Sequence, residues 1–247
     1  FCDAKEDALR RDFTVNAMFY DVEADQVIDY VDGLKDLDQK TLRAVGDASL
    51  RFQEDYLRML RAIRFASQLG FNIESDTFAA IQEKASLVGF VSRERIGQEV
   101  EKTLLGRHPE TGLRLWVESG VAPFVFGKPN SYLKEHRKYI SELMLKMSPM
   151  ETSEQAWAVF FSKWPEPLRG EQYRSFRLST ALSQKVNFIF KTAKDLLNPK
   201  MRMVEKWILM QGDLGVVALK FAQALAEMEG REGLDVLVEQ LMKASQL

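Results

Sequence analysis

The residues most able to do chemistry lie in two stretches. Arg10-Arg11-Asp12-Phe13-Thr14-Val15-Asn16-Ala17 comes first, and Leu50-Arg51-Phe52-Gln53-Glu54-Asp55-Tyr56-Leu57-Arg58-Met59-Leu60-Arg61-Ala62-Ile63-Arg64-Phe65-Ala66 follows about forty residues later. A core helix has no packing reason to carry so much opposed, fixed charge, so this surface is built to hold something polar and planar. A carboxylate accepts a hydrogen bond from an exocyclic amine, and a guanidinium donates to the ring nitrogen or keto oxygen beside it. Cytosine and adenine both present an amine next to a ring acceptor. Uracil and guanine put a keto oxygen there, which an ionised carboxylate would repel. One acid and one arginine a turn apart, Asp55 and Arg58, can thus accept C and A while rejecting U and G. Arg61 and Arg64 follow along the same helix, where phosphate contact is available.

The element expected to carry them is one continuous amphipathic helix. At about 100° per residue, Arg51, Glu54, Asp55, Arg58 and Arg61 fall within an arc of about 120°. Phe52, Tyr56, Met59, Leu60, Ile63 and Ala66 take the opposite, core-facing side, with Arg64 on the flank. The plainer reading of this arc is a wet face laced by Glu54–Arg58 and Asp55–Arg58 pairs, each contributing a few tenths of a kcal/mol.

Around this helix the pattern is a scrap of sheet followed by many helices. Met18–Asp21 and Gln26–Tyr30 flank a four-residue polar connection and predict a hairpin, and Leu42–Val45 predicts a further short strand. Helices are expected near 47–69, 75–87, 92–105 and 109–119, each closed by a Gly or a Gly/Pro cluster. Residues 122–130 read as a joint between helical layers, and Trp164-Pro165-Glu166-Pro167 as a rigid break. Later helices are expected near 131–147, 153–163, 179–198, 200–211, 213–229 and 232–245. Trp157, Phe160, Phe161, Phe188, Phe190 and Trp207 are core candidates, and His136 a surface residue.

The chain has 247 residues, 46% apolar and 28% charged, and a net charge of −2, so no overall basic field marks a nucleic-acid binder. Charge has to be read locally. Cys2 is the only cysteine, which excludes an internal disulfide and fits a reducing, cytoplasmic setting. With two separated histidines, a Cys/His zinc site is not expected. No apolar run reaches the eighteen or so residues of a membrane span. The start, Phe-Cys-Asp-Ala-Lys, reads as the interior of a longer protein. Oligomeric state is left open.

Arg10–Ala17 together with Glu54-Asp55-x-x-Arg58 closely resembles the class II nucleotidyltransferases, which comprise CCA-adding tRNA nucleotidyltransferases and bacterial poly(A) polymerases. Ile28–Leu37, Leu42–Asp47 and the Arg95-x-x-x-Glu99-x-x-Lys102 pattern match in order and spacing, so the likeness covers roughly residues 9–126. The resemblance implies a mostly α chain: the remnant of a nucleotidyltransferase α/β head in 1–46, a nucleotide-recognising helical neck in 47–126 and a tRNA-binding helical body and tail in 127–247. It implies Asp55 and Arg58 as a protein template for the base of CTP or ATP. By the same resemblance Arg11, Arg61 and Arg64 would belong to the nucleotide-binding shell, and Asp12 and Asn16 would line the ribose side or order the site. Arg95 and Glu99, one turn apart, are expected to pair and brace the neck. It further implies two Mg²⁺ ions positioning a tRNA 3′-hydroxyl for attack on the α-phosphate. Their carboxylate ligands are expected upstream of Phe1, so no catalytic or metal-binding residue is expected in this chain. The function implied is template-independent addition of C and A to the tRNA 3′ acceptor end. Poly(A) synthesis and a non-catalytic RNA-binding fragment are the alternatives.

Overall fold

The computed structural model describes residues 3–128, 130–197 and 212–231. Two compact units divide the chain, Phe1–Lys134 and Glu135–Leu247. The stretches expected as head remnant and neck therefore share one unit.

The first unit opens with α1 (Ala4–Arg10), started by the Asp3 carboxylate accepting from the Glu6 N–H. β1 (Phe19–Asp21) and β2 (Gln26–Ile28) form the expected antiparallel hairpin, with Phe19 opposite Ile28. Then come α2 (Gly33–Asp38) and β3 (Thr41–Leu42). Ala8, Ala17 and Val45, with Phe19 and Val31 against them, make a small core under these pieces.

The continuous helix expected over 47–69 is two helices, α3 (Ala48–Glu54) and α4 (Leu57–Leu69). Asp55 sits between them in extended backbone, φ −155° and ψ 109°. Aspartate competes with a helix's own hydrogen bonds and favours helix starts. Here its Oδ1 accepts from the Leu57 N–H at 3.1 Å and its carbonyl from the Arg58 N–H at 3.0 Å. The charged arc is thereby divided between two rods. Gly70, at φ +68°, closes α4 with its N–H on the Ala66 carbonyl, a left-handed stop that favours glycine.

β4 (Asn72–Ile73) was not expected; it pairs in parallel with β3, Thr41 opposite Asn72 and Leu42 opposite Ile73. It is followed by α5 (Ser75–Lys84), α6 (Arg93–Leu104), α7 (Pro109–Glu118) and α8 (Ala122–Phe126), the last in place of the expected joint. α4 packs on α6 and α7, burying Met59, Leu60, Ala62, Ile63 and Ala66 beside Val100, Leu104, Leu113 and Trp116. Phe65, on the charged side, meets Phe13 edge-on at 5.6 Å.

The division between units falls within α9 (Asn130–Met147). The second unit continues with α10 (Ser153–Phe160), α11 (Glu166–Ser175), α12 (Thr180–Leu196) and α13 (Asp213–Met228). α11 begins where a rigid break was expected, because Pro165 and Pro167 stand at a helix start, where a missing N–H is harmless. Trp157 stacks on Phe161 at 5.2 Å, and Phe160, Trp164 and Tyr173 close around them. Trp157, Phe160 and Phe161 are fully buried, whereas Phe188 and Phe190 are half-buried. His136 is also half-buried. Trp207 and the helices expected over 200–211 and 232–245 lie outside the described residues. Among the described residues no helix is long and apolar enough to cross a membrane.

Candidate nucleotide-recognition site

Asp12 is the centre of one cluster. Its Oδ2 accepts from Arg61 Nε at 2.5 Å and its Oδ1 from Asn16 Nδ2 at 2.8 Å. Asn16 in turn accepts the Phe13 N–H at 3.3 Å through Oδ1. Burial works against ionisation of Asp12, but the hydrogen bonds from Arg61 and Asn16 outweigh it and hold its carboxyl below the ordinary value. Arg11 lies on the exposed side. It grips Asp7 at 3.0 Å, donates to the Asn16 carbonyl at 2.9 Å and stands over the Phe19 ring at 5.0 Å. Arg11, Asp12, Asn16 and Arg61 are thus brought together across 49 residues of chain; the Arg61 guanidinium stands over the Phe65 ring at 5.6 Å, and its Nη1 and Nη2 have no hydrogen-bond partner among the described residues.

The second cluster is built on the α3–α4 break. Glu54 holds two guanidiniums, Arg51 at 3.1 Å and Arg58 at 2.5 Å. Arg58 also donates to the Arg51 carbonyl through the same Nη1, at 3.1 Å. Its Nε and Nη2 have no partner among the described residues, so two donors stay available. Asp55, 34% exposed at the side chain, takes Arg95 as its partner: Nη2 to Oδ2 at 2.7 Å and Nη1 to Oδ1 at 3.4 Å. Burial again opposes its charge, and the Arg95 contact and the Leu57 N–H override that, lowering its pKa. Arg58 contributes its charge in the same direction.

The expected Arg95–Glu99 pair does not form. Glu99 is buried and bonds Arg64 Nε at 2.7 Å, with Lys102 Nζ at 3.6 Å. A buried carboxylate needs the nearest buried cation, and Arg64 on α4 is that group, while Arg95 points to the helix start. Arg64 also donates to Gln68 at 2.7 Å and covers the Phe65 ring at 3.9 Å. Of the three shell arginines it is the buried one. Arg95 is the site residue that spacing alone assigned to another partner, and its bond to Asp55 spans 40 residues. Only its place in the first turn of α6 hinted at a reach toward α4.

Among the described residues no group of three or more His, Cys, Asp or Glu could hold a metal ion, and both Asp12 oxygens are taken by Arg61 and Asn16. What the second cluster offers is an acceptor on Asp55 and donors on Arg58, with the half-exposed Arg95 guanidinium held on the acceptor.

Comparison with known proteins identifies the family. A family model described as the poly A polymerase head domain matches residues 2–43, and one described as a probable RNA and SrmB-binding site of polymerase A matches residues 70–132. The CCA-adding enzyme of Lactococcus lactis subsp. cremoris is 44% identical over 162 residues, 66% of this chain and 39% of that enzyme. That of Enterococcus faecalis is 40% identical over 189 residues, 74% of this chain and 44% of that enzyme. The chain therefore spans less than half the length of these curated relatives. The structure of the Bacillus stearothermophilus CCA-adding enzyme in complex with CTP superposes with a TM-score of 0.78 at 28% identity, covering 98% of this chain and 59% of that one. Nucleotidyltransferases of this kind use divalent metal. By these matches the chain belongs to the nucleotidyltransferase family of CCA-adding enzymes and bacterial poly(A) polymerases.

Proposed function

We propose that this chain is the nucleotide-selecting and RNA-binding part of an enzyme that adds C and A to the 3′ end of tRNA, using CTP and ATP and no nucleic-acid template. The observation that carries it is the α3–α4 break, where an ionised Asp55 lies three residues ahead of Arg58 and the donors left on its guanidinium. Asp55 accepts from the exocyclic amine, and Arg58 donates to the neighbouring acceptor of the base. Arg61 supplies charge for the phosphates, Arg11, Asp12 and Asn16 line the ribose side, and Arg64 steadies α4 from behind. This is catalysis by positioning and charge complementarity. The division into 1–46 head, 47–126 neck and 127–247 body fits it, with the last part gripping the tRNA acceptor arm in the cytoplasm. Mg²⁺ is the cofactor we expect for the complete enzyme, with its ligands outside the described residues, among which no cluster of carboxylates would hold it.

The test incubates the complete protein with tRNA lacking its 3′ end, Mg²⁺ and labelled nucleotides, then sequences the products. Ordered C-C-A addition by the parent, with choice among bases lost in Asp55→Asn and Arg58→Ala, is the expected result. Variants as selective as the parent sink the template reading. An A-only tail on varied RNA would mark a poly(A) polymerase, and no incorporation a non-catalytic binder.

A further inference from the structure

The Asp55 carboxylate has roughly four acceptor positions, two on each oxygen. Arg95, meeting it side-on, takes one on each oxygen, at 2.7 Å and 3.4 Å. The Leu57 N–H takes the second on Oδ1 at 3.1 Å. One position remains, on Oδ2. The base amine the template has to read offers it one hydrogen.

Resting on the template reading of Asp55, we propose that Arg95 is a positioning residue for base selection: its planar fork fixes the carboxylate plane of Asp55 and leaves one acceptor for the amine of cytosine or adenine. A guanidinium does this because its two parallel N–H bonds set an orientation, which a single ammonium point charge does not. The pair is not there for the fold. Arg95 and Asp55 are 49% and 34% exposed, and exposed pairs contribute little to stability. α6 is held instead by the buried Ile96, Val100 and Leu104 and by Ser92 at its start. The charges facing Asp55 are Arg95 from α6 and Arg58 from α4, so removing Arg95 leaves one of the two.

The experiment measures incorporation of C and A against U and G by the complete enzyme carrying Arg95→Ala, Arg95→Lys or Asp55→Asn, with melting curves alongside. Arg95→Ala is expected to melt like the parent and to lose about tenfold in the ratio, the scale of one hydrogen bond to a charged group. Arg95→Lys is expected to recover only part of it. The ratio in Arg95→Ala is also expected to fall off at higher pH than in the parent, because the Asp55 carboxyl, freed of its partner, moves back up toward the ordinary 3.8. A purely structural role would not move that profile. If Asp55→Asn loses selectivity while Arg95→Ala keeps it, Arg95 plays no such part. Full recovery by Arg95→Lys would overturn the orienting fork. If Asp55→Asn keeps selectivity, the template reading fails and takes this proposal with it.

Discussion

Replacing Glu99 by leucine is the sharpest test of how α4 is anchored. Glu99 and Arg64 are 4% and 10% exposed at their side chains and meet at 2.7 Å. Leucine fills similar volume, so the change removes charge and little packing. It strands the Arg64 guanidinium in a poorly solvated place, and breaking a buried pair in this way costs about 3–5 kcal/mol. Two contacts survive: Gln68 at 2.7 Å and the Phe65 ring at 3.9 Å. They place the loss at the lower end, about 3 kcal/mol, and Lys102 loses only a weak contact at 3.6 Å. For a unit of this size that corresponds to a fall of roughly 10 °C in Tm. Urea and thermal unfolding followed by circular dichroism read the change. The double variant Arg64→Met/Glu99→Leu removes the stranded charge as well and is expected to recover most of the stability. A loss under about 1 kcal/mol for the single variant, or a double variant no more stable than the single, would refute the reasoning.

Gly112→Ala would put a Cβ 2.2 Å from Thr103 Cγ2 and 3.3 Å from Ser67 Oγ. Thr103 is pinned by its hydroxyl on the Glu99 carbonyl at 2.7 Å, so about 1–3 kcal/mol of destabilisation follows from overpacking. Thr103→Ser, which deletes that methyl, should relieve it in urea titrations, and an unrelieved double variant would point elsewhere. Asp12→Asn removes the charge facing Arg61, a side chain 33% exposed, and should cost only about 1 kcal/mol at neutral pH. Because the folded pKa of Asp12 lies below its ordinary 3.8, the gap between parent and variant is complete above that value. It closes as pH falls through the lower folded one. A gap unchanged down to acid pH would contradict the ionised pair.

Local patterns were legible wherever one periodicity ruled. The hairpin, with polar residues between two β-rich runs, and α6, α7 and α12, with their glycine or serine ends, lie close to the spans read from sequence. The charged and apolar sides of residues 57–69 were legible too. What failed was whatever depends on partners far along the chain. Nothing local tells Asn72–Ile73 to pair with Thr41–Leu42, since two-residue strands have no pattern of their own. Likewise, i to i+4 spacing matched Arg95 with Glu99, but Arg64 entered the core and took Glu99 first. The break at Asp55 did leave a mark, an aspartate just ahead of a run of good helix formers. The unbroken amphipathic arc outweighed it.

Placing residue 55 outside both rods has a practical consequence for genetics of this family member. Inside a helix alanine would be the better-tolerated replacement for aspartate; at a terminus the order reverses. The amide oxygen of asparagine can keep the Leu57 N–H occupied while the ionic charge disappears, whereas alanine abandons both, at about 0.5–2 kcal/mol for the lost end-group alone. Comparing the two substitutions therefore separates folding from reading at a single codon.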